Sequence, residues 1–214
     1  TLMKPVRASL LVTTYNMPRH LELVLAGLAR QSMPDFELIL CDDGSTGETK
    51  ELIEKFRNSA PFPVAHVWQE HQGFRKCRIL NEGLRRSSGG TLIFLDGDCV
   101  PHRDFVRDHV DQQEKGRYLA GRRVELGPRI SSTLDPGLIR SGFFDRPSAS
   151  LVWSGLMGDS EFIQRSLRIE NAGLRRRLGM NRVADLKGCN YSLSRQDLEA
   201  INGFDEDYEG YGRE

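Results

Sequence analysis

Two carboxylates one residue apart, Asp96-Gly97-Asp98, are the side chains in this sequence best arranged for chemistry. With a glycine between them that permits an unusual backbone angle, they can face a hard divalent cation and a ligand together. Mg2+ or Mn2+ held by one or two carboxylates fills its remaining positions with water and phosphate oxygens. A calcium loop is the alternative, but His109 stands where such a loop needs its closing Glu. A phosphate ligand also calls for positive charge. Arg75, Lys76 and Arg78 follow Gly73-Phe74 at the opening of a helix, where free N–H groups and the helix dipole favour anions. A solvated basic face is the plainer account of those three residues alone. Neither GxGxxG nor GxxxxGK[ST] occurs, which argues against Rossmann-type dinucleotide or P-loop binding.

Two more polar clusters accompany the acidic pair, Thr13-Thr14-Tyr15-Asn16 and Asp42-Asp43-Gly44-Ser45. Taken singly, each reads as a helix cap or solvated turn. The elements around them give the three clusters a common address. Ala8–Thr14, Phe36–Cys41 and Thr91–Leu95 are short apolar runs suited to strands buried on both faces, and Pro63–Trp68 reads as a further strand. Helical stripes separate them. Asn16 offers an N-cap and Pro18 a first turn for a helix with Leu21, Val24, Leu25 and Leu28 on its inner face. Ser45 and Glu48 form a capping-box pattern ahead of Leu52, Ile53 and Phe56. A third helix runs from about Arg75 to Arg86, and a fourth, carrying Phe105, Val106, His109 and Val110, follows Pro101. Strands alternating with helices imply an α/β fold, a mostly parallel central sheet with helices on both faces. Ligands of such sheets bind beyond the carboxyl ends of the strands, which is where all three clusters fall.

Past Val124 the alternation loosens. Residues 125–160 read as loop with short helices, Glu161–Leu178 as one helix and Asn190–Ser194 as a strand. Ser194 caps a last helix that Gly203 ends at the C′ position. Trp153 with Phe143 and Phe144 suggests an aromatic platform for a sugar or, equally, core packing. His71 and His102 flank motifs but read as solvent-facing loop histidines. Arginines crowd 165–182, open to an anionic acceptor or lipid headgroups, with a solvated helix face as the plainer account.

The bulk properties are those of one globular unit. The chain has 214 residues, 38% hydrophobic and 28% charged, with 30 basic and 30 acidic side chains, so net charge points to no nucleic-acid partner. Cys41, Cys77, Cys99 and Cys189 show no metal-ligand spacing and read as reduced thiols. No run approaches membrane-spanning length and no signal peptide opens the chain, so a cytoplasmic protein is expected, peripheral membrane association being left open.

The ordered texts TTYN, CDDGS, GFRKCRILN, FLDGDCVP and GCNYSLSRQDLEAINGFDEDYEGYGRE together resemble the family 2 glycosyltransferases of GT-A (Rossmann-like) fold. The closing stretch is similar to the galactosyltransferase-type C-terminal segment of chondroitin-polymerase-like enzymes. The resemblance implies a nucleotide-sugar half at 1–124 and an acceptor-side half at 125–214. It implies an inverting transfer from a nucleotide sugar, UDP-linked by preference, to a glycan or glycoconjugate acceptor with Mn2+ or Mg2+. Thr13 and Tyr15 would line the nucleobase pocket, and Asp43 would bond uracil or ribose. Arg75 and Arg78, after Gly73, would approach the diphosphate. Asp96, beside Gly97, would reach ribose and sugar and share the metal, of which Asp98 would be the principal ligand. Gly188, Cys189 and Asn190 match the loop beneath the donor sugar, and Gly203-Phe204-Asp205 would be architectural. Glu214 would be the catalytic base or the acceptor anchor. In the family a second acid directly follows that position and a metal-binding His often comes later. The sequence ends first, so truncation, with donor binding but weak transfer, is expected. The alternatives are a non-catalytic sugar-nucleotide module and a nucleotidyltransferase. The latter ordinarily shows a Gly-rich basic loop after the first strand, where TTYNMPRH stands.

Overall fold

The computed structural model describes residues 6–146, 148–180 and 186–210. Its centre is a 6-stranded sheet, β1 (Ala8–Thr14), β2 (Phe36–Asp42), β3 (Val64–Trp68), β4 (Thr91–Asp96), β5 (Leu119–Ala120) and β6 (Asn190–Ser194), in the order β3-β2-β1-β4-β6-β5. The first four strands are parallel, while β6 runs antiparallel between β4 and β5. The chain steps outward from β1 to β2 and β3, then returns to place β4 on the other side of β1. That reversal is the topological switch point where open α/β sheets bind ligands.

Both faces of the sheet are covered. Leu10, Val12, Leu38, Leu40, Ile93 and Leu95 point to one side, under α1 (Pro18–Leu28), α2 (Gly47–Arg57) and α4 (Phe105–Gln112). The alternate residues Leu11, Ile39, Leu92 and Phe94 point to the other, under Ile79 and Leu80 of α3 (Lys76–Arg86). A strand with covers on both faces is apolar along its covered length, which is why β1, β2 and β4 hold continuous hydrophobic runs at Leu10–Val12, Leu38–Cys41 and Leu92–Leu95. A third cluster joins Leu23 and Ala26 of α1 to Leu134 and Ile139, which lie beside α5 (Pro128–Thr133) and on α6 (Pro136–Arg140).

Four local expectations fail. Asn16 does not cap α1, whose N-cap is Met17 without a side-chain bond. Asn16 takes φ 45° instead, and its Oδ1 accepts from the Thr46 N–H at 2.9 Å, tying the turn after β1 to the turn after β2. Ser45 is likewise not a cap: α2 starts from Thr46, and the Ser45 hydroxyl accepts from the Asn16 N–H at 2.9 Å. Glu161–Leu178 is not one helix. Glu161 forms a β-bridge with Glu125 and Phe162 sits at φ 59°, so a 3-10 turn at Ile163–Ser166 follows and α-helix returns only at Ala172–Arg177. Two further short helices occupy the second half, α7 (Ala149–Leu156) and α8 (Ala172–Arg177). Finally, Ser194 caps α9 (Arg195–Ala200) as expected, but the left-handed C′ residue is Asn202 at φ 62°. Gly203 comes one place later and donates to the Leu198 carbonyl (3.0 Å), completing a Schellman motif.

Candidate active site

The carboxyl ends of β1, β2 and β4 bring the three polar clusters to one edge, with Thr14 opposite Asp42 and Thr13 opposite Asp96 in the strand register. Asp42 is fully buried and structural. Its carboxylate meets His66 Nε2 at 2.9 Å and the Ser45 N–H at 2.8 Å. Burial would raise its pKa, but these hydrogen bonds outweigh burial and hold it below the usual range. Asp43, next in sequence, turns toward the ligand edge. Gln69 Nε2 and the Arg75 N–H (3.4 Å) donate to its carboxylate, and His71 Nδ1 lies 3.0 Å from its carbonyl oxygen. Gly44 makes this packing possible. At φ +95° a Cβ there would lie 2.5 Å from the His71 nitrogen.

His71 is therefore no free loop histidine. Its ring stacks on Tyr15, with centroids 4.0 Å apart and planes 11° from parallel, and the pair forms a flat polar-edged surface beside Asp43. Tyr15 remains 40% exposed, available to a planar ligand. His102 bonds into the scaffold, Nε2 to the Asp145 carbonyl at 3.3 Å.

Asp96 ends β4 on the other side of β1. Thr13 Oγ1 donates to its Oδ1 at 2.9 Å, and Lys76 Nζ sits 2.8 Å from the same oxygen. Gly97 does not adopt a left-handed angle. Its service is close approach, because its N–H donates to the Thr13 carbonyl at 2.8 Å and a Cβ would come within 2.6 Å of that oxygen. Beside it, the buried Thr14 hydroxyl has no hydrogen-bond partner among the described residues. Asp98 is exposed, and the only bond to its carboxylate among the described residues is from the Cys99 thiol at 3.3 Å. No basic side chain among the described residues ties it down, so the donor set fits a hard cation: one exposed carboxylate, with a second two residues away. Among the described residues no group of three or more His, Cys, Asp or Glu is preassembled for a metal.

The basic residues divide unexpectedly. Lys76, not Arg75, contacts the acidic pair. The Arg75 guanidinium folds onto its own loop, donating to the Glu70 carbonyl and to Gln72 Oε1 (3.2 Å), while its backbone N–H serves Asp43. Arg78 is exposed on α3, and Gly73, at φ +82°, is exposed in the loop before it.

Asn190 starts β6 and its side chain is already committed. His109 Nε2 lies 3.1 Å from its Oδ1, its Nδ2 donates to the Arg122 carbonyl at 3.2 Å, and His109 Nδ1 meets Ser192 Oγ at 2.7 Å. Burial pushes the His109 pKa down to about 4. This network fixes the strand start, and the neighbouring Cys189 carbonyl accepts from the Asp96 N–H at 3.3 Å. Thus β6 braces the acidic turn from behind. The neighbouring Cys99 and Arg123, which donates to the sulfur at 3.3 Å, hold the Cys189 thiol below its ordinary range, and none of the four cysteines is in a disulfide. The His109–Asn190–Ser192 triad was hidden in the sequence. His109 falls on the apolar stripe of α4, and only a partner far along the chain reveals its role.

Gly203-Phe204-Asp205 is bracketed by Asn81 of α3, which donates to the Phe204 carbonyl at 2.8 Å and accepts from its N–H at 3.0 Å. Phe143 and Phe144 pack edge to face with centroids 5.0 Å apart, whereas Trp153 stands 64% exposed on α7, so the three form no common platform. Glu214 and residues 181–185, Arg182 among them, lie outside the described residues.

Known proteins align with this chain over part or most of its length. Validoxylamine A glucosyltransferase of Streptomyces hygroscopicus is 27% identical over 213 residues, covering 96% of this chain and 49% of that protein. Escherichia coli chondroitin synthase is 30% identical over 104 residues, 48% of this chain and 15% of that one. The chain spans about half or less of the length of the curated relatives it matches. Among solved structures, the mannosyltransferase PcManGT from Pyrobaculum calidifontis in complex with GDP-Man and Mn2+ superposes with a TM-score of 0.59 at 18% identity, over 96% of this chain and 49% of that one. That likeness establishes the GT-A fold. Residues 165–214 match the profile described as the N-terminal domain of galactosyltransferase. Over residues 9–145 the sequence matches the profile of glycosyl transferase family 2, and the chain belongs to that family.

Proposed function

We propose that this chain carries the donor site of an inverting glycosyltransferase that takes a UDP-linked sugar and passes it to a hydroxyl of a glycan or glycoconjugate, with Mn2+ or Mg2+. The observation that carries the reading is the division of labour along one sheet edge. The Tyr15–His71 plane and Asp43 stand at one end, and the exposed carboxylate of Asp98, without a basic partner among the described residues, stands at the other, with Asp96 between.

Each residue has work that its surroundings suit. Tyr15, with His71 behind it, offers a flat face to the nucleobase, while Asp43, pre-oriented by Gln69 and the Arg75 N–H, accepts from uracil or ribose. Asp96 is held by Thr13 and Lys76 against the sugar side, and Arg78 and the opening of α3 face the diphosphate. Asp98, with Asp96 beside it, would hold the cation, which when bound neutralises charge growing on the departing nucleoside diphosphate. A carboxylate, for which Glu214 is our candidate, removes the acceptor proton as the hydroxyl attacks the anomeric carbon from the opposite face, giving one displacement and inversion. Relatives and neighbours support the parts. One solved neighbour carries GDP-Man with Mn2+, and the aligned relatives are named a glucosyltransferase and a chondroitin synthase.

Calorimetry of UDP with and without Mn2+, on the wild type and on Asp98→Asn, tests the reading. Manganese should tighten UDP binding in the wild type and lose that effect in the variant. Equal manganese dependence in both would refute it. Product anomers read by NMR then decide inversion.

A further inference from the structure

A groove of about 1760 Å3 begins at Asp98 and Asn190 and runs along α4 toward α8. Thr13, Tyr15, Asp43, Arg75 and Asp96 do not border it, so from Asp98 it leads away from the nucleotide-side residues, which on the transferase reading makes it the acceptor side. Arginines outnumber carboxylates along its walls. Some are neutralised locally: Arg117 by Glu114, Arg123 by Glu125, and Arg168 by Asp108 at 2.8 Å. Arg19, Arg122, Arg146, Arg165 and Arg176 pair with no carboxylate among the described residues.

These unneutralised arginines come from separate segments and are brought together by the fold. Arg122 is held next to the acidic turn, its carbonyl bonded to Asn190. Arg165 lies over the Phe162 ring at 3.9 Å, and its segment is strapped to α4 by Arg168 on Asp108 and by Arg175, which donates to Gln112 Oε1 at 3.0 Å. That strap carries Arg176 into the same wall. Arg19, at the start of α1, reaches across to the Ser132 carbonyl at 3.5 Å. A face needed only for solubility mixes signs, as α2 does with Glu48, Lys50, Glu51, Glu54, Lys55 and Arg57. Guanidinium groups gathered from distant segments around one groove instead suit an anion that accepts forked hydrogen bonds.

We infer that the acceptor bears phosphate, and that Arg122, Arg165 and Arg176 receive it in the groove beyond Asp98. The inference rests on the transferase reading for the word acceptor, but the phosphate selectivity is measurable by itself.

Calorimetry on the purified protein compares glucose 6-phosphate with glucose, for the wild type and for the double variant Arg122→Gln/Arg176→Gln, with UDP plus Mn2+ titrated in parallel. Flotation with phosphatidylglycerol and phosphatidylcholine vesicles forms a separate arm. The phosphate ester should bind at least about tenfold more tightly than glucose, and the double variant should lose about tenfold or more of that preference. UDP affinity should be unchanged, and flotation should not depend on the two arginines. Equal affinity for the two sugars, or a preference that survives the double substitution, overturns the inference. Phosphatidylglycerol retention that the variant abolishes, with no binding of glucose 6-phosphate, overturns it in favour of lipid headgroups. If UDP fails to bind while phosphate selectivity stands, the donor reading falls and the anion site remains.

Discussion

Acidifying the protein should cost it stability through one residue, His109. Burial depresses its pKa to about 4 from the ordinary 6.5 of a histidine, against the opposing hydrogen bond to Asn190 and the nearby charge of Asp108. The unfolded chain therefore takes up a proton that the native chain refuses. Stability from this group is complete above about pH 6.5 and is lost as pH falls toward about 4. Between about pH 7.5 and pH 5 the loss is ~2 kcal/mol, growing to ~3 kcal/mol near pH 4. That is a large part of the ~5–15 kcal/mol holding an ordinary domain together. The assay is urea unfolding across this range for the wild type and for His109→Gln, whose amide keeps a polar group against Asn190 and Ser192 but does not titrate. Taking the difference between the two proteins cancels carboxylates such as Asp42 and Asp104, whose lowered pKa values are common to both. The reasoning is refuted if both proteins lose stability in parallel, or if the His109 ring proton titrates near 6.5 by NMR.

Two substitutions probe the ligand edge. Gly97→Ala places a methyl 2.6 Å from the Thr13 carbonyl, a backbone atom of a central strand. It should cost ~1–3 kcal/mol of stability by denaturant titration and also shift the Asp98 carboxylate, weakening manganese-dependent UDP binding. A variant with wild-type stability would show that the turn yields more easily than this packing allows. Tyr15→Ala should weaken UDP by about tenfold or more and Tyr15→Phe far less, because a stacked ring face is the expected contact. Unchanged affinity for Tyr15→Ala would remove Tyr15 from the site.

What the sequence disclosed follows from how far its signals reach. Buried strands such as Leu10–Val12 and Leu38–Leu40 must be apolar at every position, so β1, β2 and β4 were legible, and the acidic clusters after them fell on the correct edge. Helix stripes were equally plain, since Leu21, Val24, Leu25 and Leu28 answer to one face of the core. Pairings between distant segments left no periodic trace. Nothing local announces that Asn16 serves Thr46, that His109 holds Asn190, or that Lys76 rather than Arg75 meets Asp96. The supposed long helix at 161–178 failed for the same reason. Its apolar spacing was adequate, but Glu161 is claimed by Glu125 in another part of the chain. The basic groove was half visible, because the arginine run was plain while its convergence with Arg122 and Arg19 needed the fold.

The late strand β6 also sets a constraint on how this protein can be made. Until Asn190–Ser194 has been synthesised, β4 has β1 on one flank and an open row of backbone groups on the other, across the almost wholly buried residues Thr91–Leu95. A nascent chain halted anywhere between Asp96 and Asn190 would present that sticky margin to its neighbours. Fragments ending before Ser194 should therefore aggregate rather than fold, and cellular production depends on shielding one strand until its partner emerges.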